Sequence, residues 1–366
     1  MARVLVVGGA TPARDQRPVV WEGHSFVQTR SRFDTFGDHT SPARDEVRID
    51  EANLAAFVAE ARTADVVLAE TRECLLLWAR LPAAARPAFV VLDQDALAGT
   101  APVRRYLAVT DDDDPWTAFV ADRATAFVVN TEAHRAPLIA AGVPADRIFP
   151  FPSSTGAFEL LEPDAAAMWS AAALERAGQG LPADVVVAAG SGQRDPYTFL
   201  AAARSLQNIQ FVFIDPTLPR HEAALRQAQL WPQPNVVALA PLPLPRFAAL
   251  LAQARIVVVA LVPGEAAGGH LTVALAHRAG TPVVASDVPG LKGYLTAGRD
   301  GCLVPPADPA ALADAIAALW PDATRRAAFG AAGRAREDTR VVACRAGLRA
   351  ALAHALAGRA APAAEV

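Results

Sequence analysis

Residues 256–286 are punctuated in a way that few folds accept. The apolar run 256–262 is long enough for one buried strand and too short to cross a bilayer. A loop with Gly264, Gly268 and Gly269 follows, and then a helical stretch, His270–Ala279. Gly280 stands where a helix ends in the left-handed conformation, and Thr281-Pro282 bars its continuation. A second apolar run, Val283–Ser286, supplies the next strand. Strand, glycine loop, helix, strand leaves backbone N–H groups free at a helix N-terminus, a ready site for phosphate.

The same alternation runs through the chain. Strands are expected at 3–7, 65–69, 88–92, 126–129, 184–188, 209–214, 235–239, 256–262, 282–285 and 301–304. Helices are expected at 49–62, 72–80, 115–123, 131–141, 164–177, 196–205, 219–229, 245–253, 270–279, 309–319, 321–330 and 333–358. Strands alternating with helices at this spacing mean α/β architecture, with parallel sheets covered on both faces. Pro150, Pro152 and Pro163 flank a stretch without periodicity and mark a linker. The expected plan is a first doubly wound domain at 1–155, a linker and connecting helix at 156–182 and a second doubly wound domain at 183–332. A last helix at 333–358 and a tail without structure at 359–366 complete it. Residues 14–50 read as an irregular polar loop, and a loop of that length is usually functional.

Composition closes several alternatives. A chain of 366 residues, 52% apolar and 20% charged, has material for two packed cores. A net charge of −4 gives no basic excess, so nucleic acid is not an expected partner. Cys74, Cys302 and Cys344 are far apart, with no Cys-x-x-Cys, which disfavours a disulfide framework or a zinc site. The first residues read as a strand rather than a signal peptide, and a reducing cytoplasm is the expected compartment. Gly8-Gly9 after the first strand lacks the further glycine and the helix of a dinucleotide fingerprint. Asp111 to Asp114 form a four-carboxylate run, either a metal site or, with Asp114 ahead of Pro115, a helix cap.

Two strand ends carry the chemistry. Gly268 and Gly269 let a ligand approach the backbone, and the amides of Gly269, His270, Leu271 and Thr272 are the orphan donors of the helix that follows. Helix-terminus electrostatics contribute about 0.3–2 kcal/mol. Micromolar to millimolar binding needs roughly 4–8 kcal/mol, so a cation and further hydrogen bonds must be added. Gly190-Ser191-Gly192-Gln193-Arg194-Asp195-Pro196 follows another strand, and Arg194 can add bonds of about 1.5–3 kcal/mol each. Ligands of open parallel sheets bind beyond the carboxyl ends of strands, where both turns lie. The alternative is two tight turns and a surface arginine.

From about Val128 to Gly330 the chain resembles the retaining glycosyltransferases of family 4, which have the GT-B architecture of two Rossmann-like domains facing a cleft. The resemblance is carried by four stretches. These are Val128-Val-Asn-Thr-Glu132 with Ala140-Ala-Gly-Val-Pro-Ala-Asp-Arg-Ile148, the turn Ala189-Gly-Ser-Gly-Gln-Arg-Asp-Pro-Tyr-Thr-Phe199, Gly268-Gly-His-Leu-Thr272 with Ala279-Gly-Thr-Pro-Val-Val-Ala-Ser286, and Gly298-Arg-Asp-Gly-Cys-Leu-Val-Pro-Pro-Ala-Asp308. It implies transfer of a hexosyl group from a nucleotide-diphosphate sugar to a small-molecule, glycan or protein acceptor, with no cofactor and no metal. Donor contacts would come from Ser191, Gly192, Arg194, Gly268, Gly269, His270, Leu271 and Thr272, with Gly8 and Gly9 facing the cleft.

The chain also departs from the pattern. Alignment on Gly280-Thr-Pro282 puts Ala267 and Leu275 where the family has two glutamates, the second of which usually holds the ribose. Glu265 lies two residues early, and His270 stands where the family has Gly or Gln. In the first domain, Asp93 after a strand and His24 in the irregular segment are the catalytic candidates, to orient or deprotonate the acceptor. Arg325, Arg326, Arg334, Arg336, Arg340, Arg345 and Arg349 suit a weak peripheral membrane contact, or the plainer role of a last helix crossing back to the first domain. Loss of both glutamates leaves open a non-catalytic, glycosyltransferase-like partner subunit. A GT-B nucleotide-sugar epimerase would need acid and base carboxylates near the loop, and none is seen.

Overall fold

A computed structural model describes residues 1–7, 19–21, 23–28, 51–69, 78, 81, 86–93, 124–130, 132–140, 142–160, 167–190, 193–263 and 268–360. The chain forms two compact units, one of residues 1–152, 160–162 and 343–366, the other of residues 153–159 and 163–342.

The first unit holds a seven-stranded sheet. Its strands are β1 (Arg3–Val7), β2 (Val19–Trp21), β3 (His24–Gln28), β4 (Val66–Ala69), β5 (Ala88–Asp93), β6 (Ala126–Val129) and β7 (Ile148–Pro150), in the order β2-β3-β1-β4-β5-β6-β7. All neighbours are parallel except β2 against β3. Alternate residues of these strands (Leu5, Val7, Val67, Ala69, Phe89, Val91, Phe127, Val129) share one core with Phe57 of helix α1 (Glu51–Ala61) and Leu138 of α2 (Glu132–Ala140). Val4, Val6, Val66, Leu68, Val90 and Val128, which point the other way, are buried too. A sheet buried on both faces is what the near-continuous Val and Leu runs imply.

The second unit repeats the plan. Strands β8 (Val186–Ala189), β9 (Phe211–Ile214), β10 (Val236–Ala238), β11 (Ile256–Val259), β12 (Val283–Ser286) and β13 (Gly301–Val304) form a parallel sheet ordered β10-β9-β8-β11-β12-β13. Helix α3 (Ala171–Gly178) precedes it, α4 (Pro196–Ser205), α5 (Leu218–Gln227), α6 (Leu244–Gln253) and α7 (His270–Ala279) connect successive strands, and α8 (Pro309–Leu319) follows β13. Strands β8, β11 and β12 each feed two cores: Val186, Ile256, Val258 and Val284 enter one, while Val187, Val257, Val259, Val283 and Ala285 enter the other. Asp195 and Asp308 open α4 and α8 alike. Each accepts the amide three residues on, at 2.9 Å, with proline at the first helical position.

Three expectations are corrected. Residues 14–50 are not wholly irregular, because Val19–Trp21 and His24–Gln28 make a hairpin that adds an edge to the first sheet. The two helices expected at 321–330 and 333–358 are one, α9 (Ala323–Ala360). Gly330 and Gly333 are therefore not helix stops. A methyl at Gly330 would overlap the carbonyl oxygen of Gly280, and one at Gly333 would lie 2.7 Å from the His277 ring. These glycines let α9 approach the end of α7. Of the helix expected at 164–177, the described residues form a 3-10 turn, Ala167–Trp169, and then α3, which starts only at Ala171 and ends at Gly178. The helices expected at 72–80 (apart from Trp78) and 115–123, the run Asp111 to Asp114 and most of the tail lie outside the described residues.

A candidate diphosphate site at the edge of the second sheet

In the second sheet the strand order reverses at β8 and β11, which lie side by side while their connections run to opposite sides. Ligands of such sheets bind beyond the carboxyl ends at this point. The two glycine turns singled out in the sequence follow β8 and β11.

The turns are joined through their backbones. Asp195 N–H donates to the Ala260 carbonyl and Val262 N–H to the Gln193 carbonyl, both at 3.0 Å, forming an antiparallel bridge between Arg194 and Leu261. Ser286 Oγ accepts the Leu261 amide at 2.9 Å. Gly190 takes φ +110°, and a Cβ there would come within 2.5 Å of the Arg194 guanidinium. Gly269 takes φ +76° against Val259, and a Cβ on Gly268 would meet the Gln193 Cβ at 3.0 Å. Both turns thus need their glycines in order to close over Arg194.

Arg194 is not a surface arm. Its Nε donates to the Ala189 carbonyl at 2.8 Å and its Nη2 to Thr272 Oγ1 at 3.0 Å. Burial lowers its pKa to about 10, with the Asp215 carboxylate opposing that shift, so it remains a cation at neutral pH. Asp215 itself accepts the Thr217 amide at 2.7 Å and hydroxyl at 2.6 Å. Arg194 therefore ties the β8 turn to the first turn of α7 and puts a positive charge behind both.

Helix α7 begins at Gly269, which is left-handed and gives no side-chain cap. The first intrahelical bond runs from Val273 N–H to the Gly269 carbonyl, at 2.9 Å. The amides of Leu271 and Thr272 precede it and so point out of the helix end. Leu271 is 43% exposed, while Thr272 and His270 are buried. The His270 ring bonds through Nε2 to the Gly290 carbonyl and lies parallel to Tyr294, with centroids 4.1 Å apart and planes 16° apart. A half-buried cation, a helix N-terminus and a backbone without side chains converge here, an arrangement suited to a diphosphate.

The structure brings Arg194, Gly268, Gly269, His270, Leu271 and Thr272 together at one sheet edge. Ser191, Gly192, Glu265, Ala267, Gly8 and Gly9 lie outside the described residues. Leu275, at the position of the family's second glutamate, is 1% exposed and packs into the core. Asp93 ends β5, at the carboxyl edge of the first sheet. His24 does not join it, because it opens β3 at the amino edge, where the next amide, that of Ser25, bonds the Ala2 carbonyl at 2.9 Å. The sequence reading missed Asp215 and Tyr294. Asp215 follows β9 and was within reach of the strand-end rule, whereas Tyr294, in the loop before β13, carries no periodic signal.

Several arginines of α9 turn inward: Arg326 caps the end of α8 at the Leu319 carbonyl (3.0 Å), Arg336 pairs with Asp300, and Arg340 pairs with Glu337 at 2.6 Å. No helix among the described residues is long and apolar enough to cross a membrane.

Residues 183–322 match the family described as glycosyl transferases group 1. A stretch of 72 residues is 47% identical to a phosphatidyl-myo-inositol mannosyltransferase of Mycobacterium leprae, but this is 20% of the chain and only 19% of that protein. Among solved structures, Anabaena Alr3699/HepE in complex with UDP-glucose superposes with a TM-score of 0.64 at 18% identity, over 82% of this chain and 81% of that one. Sucrose-phosphate synthase from Thermosynechococcus elongatus superposes with a TM-score of 0.61 at 18% identity, over 98% and 89% of the two chains. The chain thus has the GT-B fold, and its second unit carries the match to the group 1 glycosyl transferases.

Proposed function

We propose that the chain is a glycosyltransferase whose donor is a nucleotide-diphosphate sugar held at the β8/β11 edge of the second unit. One observation carries this reading: two glycine turns are stitched together over a half-buried Arg194 that also grips the first turn of α7. The α7 amides receive the diphosphate oxygens, and the fixed Arg194 charge stabilises the negative charge that grows on the departing diphosphate. Preorganised donors need no rearrangement at that moment. Retention of anomeric configuration and hexosyl transfer are inferred from the resemblance to family 4. The acceptor is a small molecule, a glycan or a protein, and Asp93 is the first unit's candidate to take the acceptor proton. The reaction in this reading uses no cofactor.

The decisive measurement is a panel of UDP, GDP, dTDP and their sugars, scored by thermal shift and by sugar transfer. A ligand at about 100 times its Kd adds roughly 2.7 kcal/mol of stability. Arg194→Met should weaken diphosphate binding at least tenfold, since about 1.4 kcal/mol corresponds to a factor of ten. A shift with none of the nucleotides, or unchanged binding in the variant, would sink the assignment.

Leu275 favours a second reading, a glycosyltransferase-like binding or partner subunit without catalysis. With an apolar side chain in the core, that position has no carboxylate to hold a ribose. Nucleotide binding without transfer or hydrolysis, together with gain of activity by a co-expressed partner enzyme, would support it over the first.

A further inference from the structure

Behind the first turn of α7 lies a column of groups that the diphosphate reading does not use. Tyr294 is 2% exposed, so it touches no ligand itself. Its ring stacks on His270, and the Arg340 guanidinium carbon lies 4.8 Å from the same ring's centroid. Arg340 also donates to the Tyr294 carbonyl at 3.2 Å and to His277 Nδ1 at 3.3 Å. Its other terminal nitrogen pairs with Glu337 Oε2 at 2.6 Å, and Glu337 Oε1 accepts the Thr155 amide and hydroxyl at 2.7 and 2.9 Å. Tyr294 is thus held through its ring and its carbonyl by a cation that is itself held.

His270 is the first helical residue of α7, and the outward amides of Leu271 and Thr272 come next. Its side chain is pinned at two places, the Gly290 carbonyl and the face of Tyr294. A ring so pinned fixes the direction of its own Cα–Cβ bond, and with it the tilt of the first turn. Anion recognition by backbone amides depends on that tilt, because the amides have no rotamers with which to compensate.

We infer that Tyr294 is a positioning residue for the donor diphosphate: it fixes His270, and through it the amides of α7, and is itself fixed by Arg340. The inference rests on the reading that the diphosphate is received at this helix end.

The test uses the full chain with UDP and inorganic pyrophosphate as probes, binding measured by calorimetry and His270 ring protons followed by NMR. Tyr294→Leu should raise both Kd values about three- to tenfold, the range expected for losing an aromatic stack. It should also remove the ring-current displacement of the His270 signals, and Tyr294→Phe should restore both. Adding Tyr294→Leu to His270→Ala should cost no further affinity, a coupling that a merely structural role would not produce. If Tyr294→Leu does not fold, His270→Phe against His270→Ala decides the matter. The stacked ring should keep probe affinity within about threefold of wild type, and Ala should not. Additive losses, equal losses for Phe and Ala, or an unchanged Kd in Tyr294→Leu would overturn the inference while leaving the donor site standing. Binding of neither probe by the wild-type chain would overturn the donor-site reading, and this inference with it.

Discussion

The two sheets are wound alike, yet their units treat polar side chains differently. Among the described residues, the first unit buries one polar residue, Asn130, whereas the second buries Asp195, Asp215, His270, His277, Asp300, Glu337 and Arg340 besides several hydroxyls and amides. Apolar strands suffice to build such a fold, so buried charge is an addition that costs desolvation unless every group is paired. In the second unit the pairing is dense, and part of it converges on the β8/β11 edge. The comparison teaches that the described core of the first unit is mainly apolar, while the second is also organised around fixed charges.

Removing one of those charges tests that contrast most severely. Glu337→Ala leaves Arg340 buried beside Tyr294 and His277 with its carboxylate gone, and should cost about 3–5 kcal/mol in denaturant unfolding. A loss below about 1 kcal/mol would mean that the network adds little to the second unit.

The next largest effect concerns pH. His277 is fully buried, and its pKa is lowered to about 4, first by burial and then by Arg340 and Arg336, against the pull of Asp300. Its unfolded value is near 6.5, so between about pH 6.5 and 4 the unfolded chain binds the extra proton. The stability that neutral His277 contributes is present above about pH 6.5 and is lost as pH falls toward 4. Burial raises the Glu337 pKa and acts in the opposite direction, so the clean observable is a difference. Wild type minus His277→Phe should fall by up to about 3 kcal/mol across that window, and a flat difference would refute the assignment.

A helix cap gives the smallest effect. Asp308→Ala removes the acceptor of the Ala311 amide and should cost about 1 kcal/mol, measured as a lowered Tm, without changing nucleotide affinity. Loss of affinity there would break the separation between the two turns of the site and the rest of the second sheet.

Much of the fold could be read from runs of four to six apolar residues between helical stretches. Val186–Ala189, Phe211–Ile214 and Ile256–Val259 read as strands because the runs are too short for a buried helix and are rich in β-branched and aromatic residues. The glycine turns after β8 and β11 were legible for the same reason, since backbone freedom is written in the residue type. What a side chain meets across the fold was not. Arg194 reads as a cation reaching for ligand, yet its Nε is taken by a carbonyl five residues earlier, because the left-handed Gly190 turns the chain back on itself. Gly330 and Gly333 read as a helix break because close approach between helices and loss of helix propensity look identical in one dimension. The hairpin of β2 and β3 escaped notice because Pro18 and Gly23 punctuate strands of only three and five residues.

Those missing side chains on α9 also act as keyways. In the second unit Gly330 receives the Gly280 carbonyl, and in the first unit Gly347 receives that of Pro150, each where a single methyl would overlap the oxygen. A helix notched in this way cannot creep along its groove, because one residue of slip turns the notch away by about 100° and presents a side chain instead. Within each unit, filling a notch by Gly330→Ala or Gly347→Ala would set a methyl against that carbonyl oxygen and push the helix off its seat there.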